Sequence, residues 1–288
     1  MKETNILKKI KKNSFKKNLK ESKKNLTLLN NRYYLEEEVG RGGLSIVYKA
    51  TDIYCEYFNE ESNIVIKVPT KELLKKDDIS AFVYAEYNFL KKLSNKNIVK
   101  VFDFGIDKKT NIPYIVLEYI KGTLLSELPI SQMNKKFKNT IFKSLLSTIE
   151  YIHSQNIVHA DINPYNIITK DDEFLIFDFG ISQFINDNNK FNLEYNKVKA
   201  FNPKYCAPEV LQGEKPTVNS DIFSFACVMY EIYTCSKLFE KNSLELLEKP
   251  LSKDKFRNIP LLLKPWFKHA LNKNPEKRKI TTTFSKFF

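Results

Sequence analysis

The chain has 288 residues, 42% of them hydrophobic, which is enough for one large or two small domains with a core. Its 47 Lys and Arg against 34 Asp and Glu give a net charge of +13, and its four cysteines, Cys55, Cys206, Cys227 and Cys235, show neither a CxxC pair nor metal-ligand spacing. No apolar run approaches a membrane span, so composition argues against a disulfide scaffold and a spanning segment and predicts a soluble protein of a reducing cytoplasm.

Between Met1 and Lys24 ten lysines stand against Glu3 and Glu21, so this stretch holds +8 of the total charge. Ile6, Ile10, Phe15 and Leu19 make a weak apolar stripe that would suit docking on an acidic partner or an anionic membrane surface, with nucleic acid less favoured. A solvated, partly disordered extension is the simpler expectation. It does not read as a secretory signal, because lysines interrupt every apolar run and no small-residue cleavage site follows.

Val39-Gly40-Arg41-Gly42-Gly43-Leu44-Ser45-Ile46-Val47-Tyr48 lies between apolar strand-like runs and predicts a hairpin whose glycines let backbone N–H groups approach phosphates. Tyr54 to Asn63 reads as a lengthened hairpin loop. Asn63 to Val68 reads as a buried strand carrying one lysine, Lys67. An ammonium in so apolar a run calls for an anion, either ATP phosphates or a carboxylate of the following helix. That helix is predicted over Ile79 to Leu93 by the spacing of Phe82, Ala85, Phe89 and Leu93. Glu86 lies beside the stripe, where it can reach Lys67; taken alone it would be a solvated face residue. Helical spacing recurs over Met133 to Gln155, Ser220 to Cys235 and Leu261 to Leu271.

The densest chemistry lies between the first two of those helices. His159-Ala160-Asp161-Ile162-Asn163-Pro164-Tyr165-Asn166 is followed by Phe177-Asp178-Phe179-Gly180. This spacing suits phosphoryl transfer: Asp161 can accept or orient the proton of an attacking hydroxyl, while Asn166 and Asp178 can hold Mg2+ against the phosphates of ATP. Asn166 to Thr169 and Glu173 to Phe177 read as a hairpin across Lys170 to Asp172, which would set these groups at strand ends bordering a cleft.

On these motifs the chain resembles the eukaryotic-type (Hanks-type) protein kinase family, from roughly Tyr33 to Thr281. The resemblance implies an α+β, bilobal protein-kinase-like fold: a small antiparallel β-sheet lobe with one major helix, and a larger mainly helical lobe. Residues 1–32 would be a basic extension and 33–288 the kinase domain, divided into 33–118 and 119–288. It implies that Lys67 holds the α- and β-phosphates with Glu86 as its helix partner, that Asp161 is the catalytic-loop base, and that Asn166 and Asp178 are the magnesium ligands. Val39, Gly40, Arg41, Gly42, Gly43, Leu44 and Ser45 would cover the phosphates. Val47, Val65 and Ile168 would sandwich adenine, with Leu117 as gatekeeper and Glu118 to Ile120 offering backbone groups to the base. Pro203 to Glu209 resembles the end of the activation segment, and Arg278 the arginine that pairs with Glu209. Leu90, Val101, His159 and Phe179 would stack in one column with Asp221 at its base, which makes His159 a packing residue.

Departures from the family pattern refine what is expected. Ala160 stands where regulated members place an arginine that grips an activation-loop phosphate, and the segment from Gly180 to Pro208 offers only Ser182, Tyr195 and Tyr205 as hydroxyls. Activity independent of loop phosphorylation is therefore expected. Asn163 replaces the lysine of serine/threonine members, Asn202 replaces a threonine, and Ser45 replaces the third glycine of the phosphate loop. Lys204 could compensate for the missing lysine. The expected activity is a serine/threonine protein kinase using ATP and Mg2+ on protein substrates. The alternatives are a small-molecule kinase of the aminoglycoside or choline type, whose catalytic loop is similar, and an ATP-binding pseudokinase scaffold. Cys206 reads as a small semi-buried residue rather than an oxidant sensor, and Trp266, Phe284, Phe287 and Phe288 as packing residues.

Overall fold

A computed structural model describes residues 26–76, 78–185 and 201–278. The basic stretch before residue 26, Tyr195 and the three terminal phenylalanines named above lie outside the described residues. The chain divides into two compact units. Among the described residues, one contains residues 26–76 and 78–83 together with Val101–Tyr119; the other contains Tyr84–Lys100 and residues 120–185 and 201–278.

The first unit is built on a six-stranded antiparallel sheet. Its strands are β1 (Thr27–Leu29), β2 (Tyr33–Arg41), β3 (Ser45–Asp52), β4 (Ile64–Pro69), β5 (Val101–Ile106) and β6 (Pro113–Glu118), in the order β1-β2-β3-β4-β6-β5. Valine, isoleucine and tyrosine dominate the central strands, as a pleated buried surface favours. Leu29, Tyr33, Ala50, Ile64, Ile66, Tyr114 and Val116 form one core cluster, with Leu35 and Val68 packed against it. The connection from β3 to β4 is not the plain loop expected over Tyr54 to Asn63. It opens with a short helix, α1 (Ile53–Tyr57), because the Asp52 side chain accepts the Tyr54 N–H and caps it. Ser62 closes the same connection by donating to the Ala50 carbonyl and accepting from the Asp52 N–H.

Helix α2 (Ile79–Lys92) is shared between the units in sequence, and Ala85, Glu86, Phe89 and Leu90 are buried along it. In the second unit β7 (Thr123–Leu124) pairs with β9 (Ile167–Lys170), which pairs with β10 (Glu173–Ile176). Between them come α3 (Lys135–Ser154) and β8 (Ile157–Val158), which pairs with β11 (Gln183–Phe184). The expected hairpin before Asp178 is present with a tighter turn. Lys170 belongs to the strand, and Asp171 and Asp172, at φ 52° and 63°, form the two-residue loop whose twist matches the flanking strands.

Short helix α4 (Pro208–Leu211) precedes α5 (Val218–Thr234), followed by α6 (Glu245–Glu248) and α7 (Lys264–Ala270). Helix α3 buries Ile141, Leu145, Ile149 and Ile152 at successive turns. Phe142, Phe225 and Trp266 join α3, α5 and α7 through ring centroids 5.0–5.6 Å apart. Helix α5 starts in a capping box between Thr217 and Ser220 and ends on Cys235 at φ 57°. The helical pattern over Leu261 to Leu271 resolves into a 3-10 turn, Leu261–Leu263, and then α7, because Pro265 suits a helix start.

Candidate active site

In the first unit the strand registers decide which side chains share a face. Val47 opposes Lys67, Lys67 opposes Ile115, and Val65 opposes Leu117, so Val47, Val65, Lys67 and Leu117 lie on one face of the sheet. Ile64, Ile66 and Val116 point the other way, into the core cluster. Glu118 opposes Ile64 and so lies on the core side. The sheet thus brings Val47, Val65, Lys67 and Leu117 onto one face, while Ile168 lies in the second unit, and Lys67 is 8% exposed. The glycine loop is closed by a hydrogen bond from Gly42 N–H to the Ser45 carbonyl at 2.8 Å, and Gly40 opposes Val47 across the hairpin. Val39, Gly42 and Gly43 are exposed, while Leu44 and Ser45 are half-buried. Arg41 forks onto Glu38 at 2.6 and 2.8 Å, an exposed pair on the strand leading into the loop.

In the second unit Asp221 organises the loop that runs from His159 to Asn166. This carboxylate, 1% exposed near the start of α5, accepts the backbone N–H of His159 at 2.8 Å and of Ala160 at 2.9 Å, and pairs with His153 Nε2 at 2.8 Å. Ala160 has φ 70°, a left-handed conformation that costs a side-chain-bearing residue about 1–2 kcal/mol. The two charge-assisted bonds, from its own N–H and from that of the preceding residue, hold that strain in place. His159 is fully buried. Its Nδ1 accepts the Asp161 N–H at 3.2 Å and its Nε2–H donates to the Phe177 carbonyl at 3.2 Å, which fixes one neutral tautomer. Burial lowers its pKa, and its ring packs 4.6 Å from Phe179. His159 is therefore a structural link between Asp161 and the strand end that carries Asp178.

The Asp161 carboxylate is the most heavily solicited group in the unit. Asn163 Nδ2 donates to its Oδ1 at 2.9 Å and Asn166 Nδ2 donates to its Oδ2 at 2.7 Å. Burial raises its pKa most and the negative charge of Asp178 raises it further, against the pull of the two amide donors, so that it is pushed up to about 7. Asp178 sits at φ 65° with its Oδ1 accepting the Gly180 N–H at 3.2 Å. The structure thus gathers Asp161, Asn166 and Asp178, and adds Asn163, which from the sequence was only a lost lysine. The asparagine–proline step at 163–164 was the available signal, since it marks a capping side chain ahead of a turn.

Asn166 and Asp178 offer hard oxygen donors of the kind Mg2+ takes, one amide and one carboxylate. The mutual repulsion of Asp161 and Asp178 is the charge pattern that a divalent cation would relieve. Ile168 lies on β9 where the chain leaving Ile120 passes close by. A Cβ on Gly122 would stand 2.3 Å from the Thr169 carbonyl and 3.0 Å from the Ile168 side chain, so only glycine fits. Lys67 belongs to the first unit and Glu86 to the second, and both are buried.

At the far end of the segment Arg278, fully buried, forks onto Glu209 at 2.5 and 2.9 Å, stacks 4.7 Å over Phe223, and donates to the Asn272 carbonyl at 2.6 Å. Tyr205 donates its hydroxyl to Glu231, and buried Ser182 donates to the His159 carbonyl at 2.9 Å. Burial pushes the Cys206 thiol up, so it stays protonated and inert.

The family model described as protein kinase domain matches residues 33–287. The chain belongs to the protein kinase family. A protein named probable serine/threonine-protein kinase from Clostridium acetobutylicum is 30% identical over 263 residues, 88% of this chain and 38% of that protein. One of the same description from Streptomyces coelicolor is 31% identical over 220 residues, 75% of this chain and 32% of that protein. A SNF1-like protein kinase from Schizosaccharomyces pombe is 31% identical over 203 residues, covering 69% and 33%. The chain therefore spans about a third of the length of these relatives. No helix among the described residues is long and apolar enough to cross a membrane.

Proposed function

We propose that this kinase-family chain transfers the γ-phosphoryl group of ATP to serine or threonine hydroxyls of protein substrates, with residues 33–288 as the kinase domain. The observation that carries the reading is the half-buried Asp161 carboxylate, held by one amide donor on each oxygen, from Asn163 and Asn166, and set against Asp178. In this role Asp161 accepts the proton of the attacking hydroxyl, and a pKa near 7 matches a group that must both take and release it. Asn166 and Asp178 are the proposed magnesium ligands. Bound there, Mg2+ would offset charge on the phosphates and between the two carboxylates. Lys67 is the proposed holder of the α- and β-phosphates. The loop from Val39 through Ser45 covers them with backbone N–H groups. Val47, Val65 and Leu117 on the sheet face of the first unit, with the Glu118 backbone, are proposed adenine contacts, and Ile168 and the Ile120 backbone of the second unit are assigned the same role.

Serine/threonine kinase names among the relatives support the acceptor class. The Glu209–Arg278 fork, which anchors the segment between Tyr205 and Glu209, favours a protein over a small-molecule acceptor. We propose further that activity does not depend on activation-loop phosphorylation. Of the three hydroxyls in that segment, Ser182 and Tyr205 are buried and already donating, and Ala160 supplies no cation for a phosphate. Four free cysteines suit a reducing cytoplasm. The basic stretch between Met1 and Lys24 suits an acidic partner or anionic surface.

Assaying the protein on a peptide mixture with serine, threonine or tyrosine as the sole acceptor, before and after phosphatase treatment, tests both points. Transfer to serine and threonine peptides at an unchanged rate is expected. Abolition by phosphatase, restored by a mapped loop phosphosite, would refute loop independence, and transfer to tyrosine alone would refute the acceptor class.

A further inference from the structure

We infer that Asn163 is the positioning residue that aims Asp161, so that this chain replaces a lysine's charge with a fixed direction of its catalytic carboxylate. The inference rests on the phosphoryl-transfer reading above. Asn163 is 3% exposed, and its single amide makes two kinds of bond. Its Oδ1 accepts the Tyr165 N–H at 2.9 Å and caps the 3-10 turn Pro164–Asn166. Its Nδ2 donates to Asp161 twice, to the main-chain carbonyl at 3.1 Å and to Oδ1 at 2.9 Å. Asn166 mirrors it from the other end of the turn, with Nδ2 at 2.9 Å from the same carbonyl and 2.7 Å from Oδ2.

Each carboxylate oxygen is therefore held by a different amide, and both amides are tied to one carbonyl. The terminal torsion of an aspartate is ordinarily broad and roughly two-fold. Held at both oxygens, it has one orientation. A carboxylate offers about four lone-pair sites, and the two amides take one on each oxygen, which leaves about one per oxygen, in a fixed direction, for an incoming hydroxyl. Lysine at position 163 could not reproduce this arrangement, since an ammonium has no acceptor for the Tyr165 N–H.

Two variants separate the cap from the clamp, because serine and aspartate are both good capping residues. Asn163→Ser keeps an acceptor for the Tyr165 N–H but is too short to reach the Asp161 carboxylate as well. Asn163→Asp keeps the cap and turns the donor into an acceptor facing a carboxylate. The wild-type chain and both variants are compared by steady-state kinetics on a serine peptide, with thermal melts as the check on folding. For Asn163→Ser, kcat should fall about 10- to 100-fold while the KM for ATP stays within about twofold, since misplacing a catalytic group by an ångström costs rate rather than nucleotide binding. Asn163→Asp should fall further, and if it does not fold, the serine variant alone decides. Wild-type kcat in Asn163→Ser, the result of a cap-only role, would overturn the inference while leaving the kinase reading intact. So would an equal deterioration of kcat and the KM for ATP. Absence of transfer by the wild-type chain would overturn the kinase reading and the inference with it.

Discussion

Replacing Asp221 by asparagine tests how the catalytic loop is held. The wild-type carboxylate accepts the His159 and Ala160 N–H groups on separate oxygens and pairs with His153 Nε2 on the first of them. Asparagine has one oxygen, so whichever way the amide turns, one buried backbone N–H faces an NH2 group. An orphaned buried donor costs about 1–3 kcal/mol, and loss of charge assistance at the remaining bonds adds roughly another 1. A total near 3 kcal/mol corresponds to a Tm lower by about 6–12 °C for a unit of this size. Freed of its clamp, Ala160 can leave its left-handed conformation at φ 70°, which turns the peptide that carries Asp161. We expect kcat to fall on the order of 100-fold with a smaller change in the KM for ATP. Differential scanning fluorimetry and peptide kinetics on the purified variant check both figures. A Tm drop below about 2 °C with kcat near the wild-type value would refute the assignment of Asp221 as the anchor.

Three further outcomes follow from the geometry. Asp178→Asn removes the like charge facing Asp161. Because that carboxyl is raised from 3.8 to about 7 in the folded chain, its stability contribution is full below about pH 4 and is lost as pH rises through 7. In nucleotide-free protein the variant should melt a few degrees higher than wild type at about pH 8, with the gain vanishing near pH 4, as read from paired melting curves; a gain independent of pH would contradict the origin of the shift. Gly122→Ala should lower stability by about 1–3 kcal/mol in urea unfolding, because its Cβ would meet the Thr169 carbonyl at 2.3 Å and backbone cannot yield as a side chain can. Arg278→Leu leaves Glu209 buried without its cation and should cost about 3–5 kcal/mol by the same method; an unchanged midpoint would show that the fork contributes nothing.

Much of the architecture was legible because periodicity and turn chemistry are local. The lysine-bearing strand, the helices over residues 133–155 and 220–235, and the hairpin ahead of Asp178 followed from apolar spacing alone. The connection after β3 was misread because a five-residue helix has no periodicity to detect, and its cap, Asp52, lies in the preceding strand. The last predicted helix was broken where Leu261 and Leu262, at 80% and 63% exposed, continue a hydrophobic pattern without being buried. Within the site, residue types at family positions located Asp161, Asn166 and Asp178. The role of Asn163 was hidden because it depends on which atom of the amide faces the aspartate.

Phosphoryl transfer through Asp161 is tested most directly by intact-mass spectrometry. The protein would be incubated with magnesium and ATP, alone and with a generic basic protein as acceptor, beside the Asp161→Asn variant. Added phosphate on the chain or the acceptor, absent in the variant, is the predicted result. No added phosphate from a wild-type chain that ATP still stabilises against heat would contradict it, and so would equal phosphorylation by the variant.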